Sequence, residues 1–487
     1  MKKQTIEQYL YEHALNTPDK PAVISAEGSI TYRELYDASR GYGAFLEKNG
    51  LTEGGVIVTR AANTIEYAVL YFGVHFAHGV ICSLEKSSPD ATVLDVAEKM
   101  NAQIIIADDL PAGGNDRIVL PRNVLDDAKK YTAEGEPVFA ALDAPADILF
   151  TTGTTGASKG VELSHLALCA TAENLIFGCG YEPEMLLIVP GPLNHANAIR
   201  KLFTSIINGN TVYVLNGMTN IKAFFEILEM PFDNIACCLP PAMIRFILTI
   251  SRDAINAYRK KISFIESASA PLPEPDRIQL GKLLPETRLI INYGSSEAAS
   301  VTMYDCIANP GLVNCIGRPM PNSEILIVDD DKNVIDSSKD HLGLIACKGD
   351  VNMIGYVNEP ELTKEVLIDG IVYTNDIGYI EDGYVYIIGR QGDVINVGGL
   401  KVAPTEVEEA ALGFEGINEC ICIAMPDPLV GNVVKLLYVS AEDIDTTALN
   451  AFLTTKLETY KIPKKYERVD EIRKTYNGKI DRKSYRV

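Results

Sequence analysis

The sequence predicts an α/β fold: a large N-terminal domain of layered α/β sheets with a small β-barrel-like sheet, followed by a small, mobile α+β C-terminal domain. Three successive patterns along the 487 residues predict it. Short apolar runs first alternate with stretches of helical spacing. Strand pairs and turns replace them after about residue 310, and a shorter mixture of helices and strands occupies residues 390–487.

The first pattern indicates parallel sheets. Short apolar runs that alternate with helices are typical of buried strands in α/β folds. The runs lie at residues 56–58, 104–106, 148–150, 187–189, 212–214 and 289–291. We therefore expect helices packed on the faces of layered sheets.

Residues 67–84 contain no Asp, Glu, Lys or Arg over 18 positions. A membrane span has to be considered at that length. His75, His78 and two glycines interrupt the stretch, so a buried helix that leads into a strand is the preferred interpretation.

The second and third patterns define the rest of the chain. An antiparallel sheet or barrel is predicted by the segments at residues 324–328, 343–348, 370–373 and 383–388. The last hundred residues predict a helix at 406–412, a strand at 420–424 and a helix at 446–457. Glycines near residue 390 supply the backbone freedom that suits a hinge. We therefore expect domains at residues 1–389 and 390–487.

Composition and charge indicate a folded globular protein and argue against a nucleic-acid-binding function. The chain is 47% hydrophobic and 22% charged, as folded globular proteins are. Its formal net charge of -21 repels phosphate backbones, so we expect no nucleic-acid partner. Residues 456–487 are the exception, with 11 Lys or Arg against 5 Asp or Glu. A solvated face and a site for an anionic ligand would both explain this basic tail.

Cysteine spacing and the first residues bear on the compartment. Ten cysteines at irregular positions, with no C-x-x-C pair, predict reduced and mostly buried thiols. Two lysines near the start are not followed by the apolar core of a secretory signal. We therefore expect a cytoplasmic protein without a membrane span.

A loop of small residues after the apolar run at 148–150 predicts phosphate binding. Such a loop can turn backbone N–H groups and hydroxyls towards phosphate oxygens. It is not a Walker A loop, because Ser158 stands five residues after Gly153 and Lys159 is followed by Gly160. A flexible linker is the alternative. The candidate phosphate-binding residues are Thr151, Thr152, Gly153, Thr154, Thr155 and Lys159.

This loop resembles that of the acyl-AMP-forming (adenylate-forming) superfamily, which includes acyl-CoA synthetases, peptide-synthetase adenylation domains and luciferase. Among these the chain looks most like a stand-alone carboxylate–CoA ligase. Further segments resemble the family's motifs in the family's order, at residues 292–297 (N-Y-G-S-S-E), 373–376 (Y-T-N-D), 389–395 (G-R-Q-G-D-V-I) and 477–482 (N-G-K-I-D-R). The chain departs from the family pattern at Ser296, Asn375 and Gly392, where Thr, Gly and a charged pivot residue are usual.

The resemblance implies ATP and Mg2+ as cofactors. A carboxylate that attacks the α-phosphate of ATP brings two anions together, so the site needs cations and hydrogen-bond donors. Glu297 would hold Mg2+ and Lys479 would stabilise the developing charge, although a helix-starting Glu and a solvated Lys are the alternatives. The implied nucleotide-binding residues are Ser269, Ala270, Asn292, Tyr293, Gly294, Ser296, Asp376 and Arg390.

Within that set, Tyr293 would pack on adenine and Ser296 would donate to the α-phosphate. Asp376 would accept from the ribose hydroxyls, and Arg390 would reach the same sugar. A turn-capping Asp and a surface Arg are the alternatives for the last two residues.

A further group of residues would form the acyl pocket. His195 matches the family position at which a ring gates the pocket, and a core histidine is the alternative. Arg200 would pair with a second carboxylate on the substrate or form a surface salt bridge. The small residues at 267–271 would leave room for substrate or allow tight backbone packing. The pocket set is His195, Asn197, Arg200, Ser267, Ala268 and Ser269, and aliphatic, aromatic and dicarboxylic acids all stay open.

The resemblance thus implies a ligase that forms acyl-AMP with release of pyrophosphate and then transfers the acyl group to coenzyme A. Gly398 and Gly399 resemble the paired glycines of members that use coenzyme A, and the basic tail would suit its phosphates. The small domain would bring Lys479 to the site and then rotate to present the two glycines.

Alternatives to that function stay open. An acyl carrier protein could supply the thiol on its phosphopantetheine. Oxidation of the adenylate is disfavoured, because Gly398 stands at the lysine position of luciferase-like members. The substitutions at Ser296, Asn375 and Gly392 keep open a nucleotide-binding regulatory protein without turnover.

Overall fold

The computed structural model of the chain describes residues 3–108, 110, 117–151, 159–217, 220–474 and 480–485. Two short 3-10 helices, Thr459–Lys461 and Arg482–Tyr485, lie near its end. The α-helices are α1 Ile6–Asn16, α2 Tyr32–Lys48, α3 Ile65–Phe76, α4 Asp90–Lys99, α5 Val124–Lys130, α6 His165–Cys179, α7 Ala196–Asn208, α8 Ile221–Leu228, α9 Pro241–Ile250, α10 Arg252–Asn256, α11 Glu274–Leu283, α12 Pro360–Val366, α13 Pro404–Leu412 and α14 Thr446–Thr454.

Strands alternate with these helices in the first half of the chain and dominate the region after α11. They are β1 Pro21–Ser25, β2 Gly28–Thr31, β3 Val56–Arg60, β4 Val80–Leu84, β5 Ile104–Ile106, β6 Ile118–Leu120, β7 Pro145–Thr151, β8 Lys159–Ser164, β9 Leu186–Val189, β10 Thr211–Val214, β11 Ile235–Cys238, β12 Ile262–Ser267, β13 Arg288–Ser295, β14 Ala299–Asp305, β15 Cys315–Pro319, β16 Glu324–Val328, β17 Gly343–Lys348, β18 Gly355–Tyr356, β19 Leu367–Ile368, β20 Ile371–Glu381, β21 Tyr384–Arg390, β22 Ile395–Val397, β23 Leu400–Val402, β24 Glu419–Asp427, β25 Gly431–Val439 and β26 Lys465–Arg468.

Two large sheets form the layered part of the molecule. One has the strand order β16-β17-β20-β21-β15-β14-β13-β12-β11-β9-β10-β1-β2, and the other has the order β18-β8-β7-β4-β3-β5-β6. Strands β9 to β13 pair in parallel with one another, and so do β3 to β7 within the second sheet. The next pairs, β13–β14 and β7–β8, are antiparallel. All six apolar runs lie in parallel strands, which confirms the prediction of layered α/β sheets.

The uncharged stretch at 67–84 is a buried helix that leads into a strand, as predicted. The Thr64 side chain accepts a hydrogen bond from the Tyr67 backbone and starts α3, and β4 follows. Tyr71 and Phe72 of this helix are fully buried, and each such side chain contributes about 1.5–3 kcal/mol to folding. None of the described helices combines the length and the apolar composition needed to cross a membrane.

The expected barrel-like sheet is an antiparallel sheet that does not close into a barrel among the described strands. Strands β15, β16, β17, β20 and β21 are antiparallel, as expected. However, β15 pairs with β14 and so extends the large sheet, while β16 stands at the end of the strand order. The two strands that would have to pair to close a barrel, β15 and β16, therefore do not pair with each other.

Residues 395–474 and 480–485 form the small α+β domain. Its three-stranded sheet has the order β24-β25-β26, with the hairpin β22–β23 beside it. Helices α13 and α14 pack on this sheet through their own hydrophobic cluster, which contains Val407, Leu436 and Leu449. Strand β21 of the large domain ends at Arg390, close to the boundary that we expect after residue 389.

The cysteines are buried thiols, as predicted. All ten are buried, and none of them is in a disulfide. Burial raises the pKa of the Cys82 and Cys237 thiols to about 12, so both stay protonated near neutral pH.

Candidate active site

The site is organised around the tight turn between β13 and β14. A Cβ atom on Gly294 would lie 1.6 Å from the carbonyl oxygen of Ala299, so only glycine fits where these strands approach. The Ser295 hydroxyl accepts hydrogen bonds from the backbone N–H groups of Glu297 (3.1 Å) and Ala298 (3.0 Å). Glu297 therefore lies in a rigid turn between strands, and the alternative that it starts a helix is wrong.

Glu297 is held by a residue that the sequence did not single out. The Tyr356 hydroxyl donates to Glu297 Oε1 at 2.9 Å. Lys159 Nζ lies 5.2 Å from the centre of the Tyr356 ring, at the start of the strand that follows the candidate phosphate loop. Burial and the nearby Glu297 charge raise the pKa of Tyr356, so it remains a donor. Lys159 and Glu297 thus lie on two sides of one aromatic ring.

Three predicted nucleotide-binding residues meet at the hydroxyl of Tyr293, in the strand that leads into the turn. The Tyr293 hydroxyl donates to Asp376 Oδ2 at 2.6 Å, and Arg390 Nε lies 3.4 Å from Asp376 Oδ1. Asp376 and Arg390 are paired residues of β20 and β21. Asp376 is therefore a strand residue held by a neutral and a charged donor, and it does not cap a turn.

Arg200 of α7 forms a hydrogen bond to the backbone of the strand that leads into the same turn. Its Nη2 donates to the carbonyl oxygen of Ser295 at 2.9 Å, and only 6% of the residue is exposed. Burial lowers the pKa of Arg200 to about 10, while the charges of Glu297 and Asp147 act in the opposite direction. The side chain is still a cation at neutral pH. The alternative of a surface salt bridge is wrong, because Arg200 is buried.

A buried ion pair that was not predicted from the sequence lies next to Arg200. Lys201 Nζ is 3.0 Å from Glu266 Oε1, and both residues are at most 1% exposed. Asn292 Nδ2 also donates to Glu266 Oε1, at 2.6 Å. Burial lowers the pKa of Lys201 and the Glu266 carboxylate raises it, and the net effect is a raised value. A Lys in an apolar helix face and a Glu in an apolar strand were the available signals.

The other predicted pocket residues lie at the ends of the same parallel strands. His195 is half-buried and precedes α7, and Asn197 Nδ2 donates to Cys238 Sγ at 3.3 Å. Ser267 and Ala268 are buried at the end of β12, whereas Ser269 (φ 75°) and Ala270 are exposed.

Some of the predicted residues fall outside the described ranges or away from the turn. Thr152, Gly153, Thr154, Thr155 and Lys479 lie outside the described residues. Thr151 is the last residue of β7 and pairs with Lys159.

The hairpin with Gly398 and Gly399 makes its described contacts within the small domain. Their φ angles are 59° and 92°, and their N–H groups donate to Val430 O and Asn396 Oδ1. Gly392, at the expected pivot, is not among the described glycines with positive φ.

The ends of the segment that contains Lys479 are fixed. Lys474 and Ile480 pair as an antiparallel bridge on either side of it. Arg482 donates to both oxygens of Glu408, from Nη1 at 2.8 Å and from Nη2 at 2.5 Å. This bidentate pair ties the end of the chain to α13.

Comparison with known proteins shows the family of the chain. The profile of the AMP-binding enzyme family matches residues 10–357, and that of the AMP-binding enzyme C-terminal domain matches residues 406–479. A long-chain-fatty-acid–CoA ligase of Bacillus subtilis is 29% identical, over 99% of this chain and 94% of its own. The fatty acid–[acyl-carrier-protein] ligase ScoC of Streptomyces coeruleorubidus is 25% identical, over 99% and 96%.

Solved structures share the fold. ATP-bound MatB from Rhodopseudomonas palustris superposes with a TM-score of 0.88 at 23% identity, over 99% of this chain and 98% of its own. The o-succinylbenzoate CoA synthetase MenE of Bacillus subtilis, bound to its acyl-adenylate, gives 0.84 at 21% identity, over 100% and 99%.

Fold and site together define an adenylate-forming enzyme. The chain belongs to the AMP-binding enzyme family, whose profile covers well over half of its length. It is an AMP-forming acid–thiol ligase, which activates a carboxylic acid as acyl-AMP with ATP and passes the acyl group to a thiol.

Proposed function

We propose that the turn between β13 and β14 binds the nucleotide in this reaction, and that the acid is a compact one with polar groups. The observation that supports the first part is the arrangement of Glu297, Asp376 and Arg390 around a single turn. It offers one carboxylate towards the triphosphate and a carboxylate–guanidinium pair towards the sugar. Such a site works by holding charges in place, which is what phosphoryl chemistry requires.

The ribose would bind at Asp376. Its two oxygens accept from Tyr293 and face Arg390, and a carboxylate has further lone pairs for two hydroxyl groups. The Ser296 hydroxyl, in the turn itself, would donate to the α-phosphate.

Glu297 fits a magnesium ligand. Mg2+ is usually held by one or two carboxylates together with substrate phosphates. Glu297 is half-buried, and the neutral Tyr356 hydroxyl holds one of its oxygens without neutralising its charge. Bound Mg2+ would offset the negative charge of the phosphates. Arg200 would keep the turn in place through the Ser295 carbonyl group.

The small domain would supply Lys479. The bridge between Lys474 and Ile480 and the Arg482–Glu408 pair fix both ends of the segment that carries this lysine. Rotation of the small domain about residues 389–395 would then move Lys479 away from the site and bring the hairpin with Gly398 and Gly399 to it.

The thiol would be that of coenzyme A, with a carrier protein as the second candidate because ScoC has that acceptor in its name. The basic tail is partly neutralised within the small domain: Lys461 pairs with Glu406, Arg468 with Asp443 and Lys474 with Glu419. The exposed hairpin glycines are therefore better support for a thiol site than the charge of the tail.

Buried polar groups near Ser267 support a polar acid. Glu266 Oε2, Ser267 Oγ and Asn292 Oδ1 are buried and have no hydrogen-bond partner among the described residues. A long alkyl chain against these atoms would leave them unpaired, at a cost of about 1–3 kcal/mol each. A hydroxyl or amino group on the acid can donate to the two acceptor oxygens, Glu266 Oε2 and Asn292 Oδ1, and would satisfy them.

Thioester formation from an acid panel tests the proposal. The panel pairs each short hydroxy, amino or dicarboxylic acid with the alkyl acid of the same length, with coenzyme A or phosphopantetheinyl carrier protein as acceptor. We expect the hydroxy and amino acids to give a higher kcat/KM than the alkyl and dicarboxylic acids of the same length, and coenzyme A to be the better acceptor. A preference for long alkyl acids would contradict the polar pocket while leaving the ligase reaction intact.

A further inference from the structure

A second cluster of ionisable side chains lies away from the nucleotide site, where three helices of the large domain meet. Glu7 comes from α1, His75 from α3 and His165 is the first residue of α6. Each is at most 1% exposed. The reaction described above uses none of them.

The ligand atoms of these residues surround one point. Glu7 Oε1 lies 3.0 Å from His75 Nδ1 and 3.6 Å from His165 Nδ1, and one ligand atom from each residue lies within 4.8 Å of the others. Ligands bound to zinc at about 2.1 Å in tetrahedral geometry are about 3.4 Å apart. The two measured separations lie on either side of that value.

These atoms are also left without aligned hydrogen bonds. Both ring nitrogens of His165 are buried with no hydrogen-bond partner among the described residues, and Glu7 Oε1 and His75 Nδ1 lie 3.0 Å apart without an aligned hydrogen bond. Buried polar atoms are nearly always paired, so several unpaired atoms at one point indicate a missing partner. A cation accepts lone pairs from all of them at once.

Asp147 orients one of the rings. Its Oδ1 lies 2.9 Å from His75 Nε2, and its Oδ2 accepts from the Tyr71 hydroxyl at 2.9 Å. A proton on Nε2 leaves the lone pair of Nδ1 available, which is the carboxylate–histidine–metal arrangement of many metal sites.

The charge at this cluster also favours a cation. Two carboxylates, Glu7 and Asp147, are buried beside two imidazoles. Burial lowers the pKa of His75, but Asp147 and Glu7 raise it to about 9, so a proton on His75 offsets one of the two negative charges in the metal-free chain. A divalent ion would displace that proton and offset both charges. Two imidazoles and one carboxylate are a ligand set typical of zinc and uncommon for Mg2+ or Ca2+.

We propose that Glu7, His75 and His165 bind one divalent transition-metal ion of the zinc class. The ion joins α1 to α3 and α6 and fixes the N-terminal helix on the sheet that carries Asp147. Three protein ligands leave a fourth position, which a water molecule would fill. The role is structural, since the ligands are buried and distinct from the residues around Glu297.

Metal content of the purified protein tests this assignment. The full chain, without an affinity tag that binds metal, is dialysed against a chelator at neutral pH and analysed by mass spectrometry for zinc, nickel, cobalt, iron and manganese. We expect about one equivalent per chain to remain. The His165→Gln variant should keep less than a tenth of that, while His341→Gln, at an exposed histidine, should keep it all.

Cobalt supplies a readout that does not depend on a variant that folds. Protein unfolded in chelator and refolded with Co2+ should gain the visible absorption bands of tetrahedral cobalt, and Zn2+ should abolish them. Less than a tenth of an equivalent in the native protein, with no cobalt bands after refolding, would overturn the proposal and leave a metal-free network of His75 between two carboxylates. Equal metal in both variants would also overturn it.

Discussion

Glu409 makes the contact between the two domains dependent on pH. It lies on α13 of the small domain, and its Oε1 is 3.8 Å from Arg277 Nη2 on α11 of the large domain. Each of these side chains is only 13% exposed. Burial raises the pKa of Glu409 to about 7; the Arg277 charge opposes this, and the acidic neighbours Glu274, Glu408 and Glu406 add to it.

The size of the effect follows from the change in pKa. A Glu409 released to solvent would return to its ordinary value of 4.5 from about 7. At 1.36 kcal/mol for each unit of pKa, the difference is about 3 kcal/mol. Glu409 binds its proton more tightly in the contact between the domains than in solvent. The contact is therefore strongest below pH 4.5. It weakens as the pH rises to about 7 and then stays constant.

Replacing Glu409 with Gln removes the titrating group and keeps the shape of the side chain. We expect the Gln variant to hold the two domains together equally at pH 5.5 and pH 8. The native chain should open as the pH rises over this range, which small-angle X-ray scattering would detect as a larger radius of gyration. Glu415→Gln is the matched control, since Glu415 is an exposed carboxylate of the same domain.

The reasoning fails if the native chain and the Glu409→Gln variant respond to pH in the same way. It also fails if the native chain becomes more compact as the pH rises, because the sign of the linkage would then be opposite.

Three further predictions concern the site. Lys201→Met should lower the free energy of unfolding by about 3–5 kcal/mol, and a second change, Glu266→Leu, should restore most of it in urea titrations; a single variant as stable as the native chain would contradict the buried pair. Tyr293→Phe removes a hydrogen bond to a carboxylate worth about 1.5–3 kcal/mol, so the Kd for ATP measured by calorimetry should rise about 10–100-fold, and an unchanged Kd would remove Asp376 from the nucleotide site. Gly294→Ala should abolish adenylation, whereas Gly281→Ala in α11 should not; an active Gly294→Ala variant would refute the close approach of β13 to β14.

Sequence patterns were enough to predict the layers of the fold and to single out side chains that meet at the candidate site. Continuous apolar runs indicate strands because a strand that is buried on both faces carries apolar side chains on both. The segments with Tyr293, Asp376 and Arg390 were identified from their motifs, and the structure brings these side chains together although some 80 residues separate Tyr293 from Asp376.

What the sequence left out depends on contacts between distant segments. Tyr356 reaches Glu297 because β18 pairs with β8, and no local sequence pattern predicts that pairing. Arg200 was expected to meet the substrate or solvent, yet it donates to a backbone carbonyl of the turn. Sequence patterns left open whether the antiparallel strands form a sheet or a barrel, because they do not specify that β15 pairs with β14.

The most direct test of the central claim is exchange of labelled pyrophosphate into ATP, measured with Mg2+, an acid from the panel and no thiol. Adenylation is reversible, so an acyl-AMP that forms at the site should return label to ATP only when the acid is present. We expect acid-dependent exchange in the native chain and at least a hundredfold less in Lys479→Ala. Tight ATP binding without exchange for any acid would contradict the account and favour a nucleotide-binding protein without turnover.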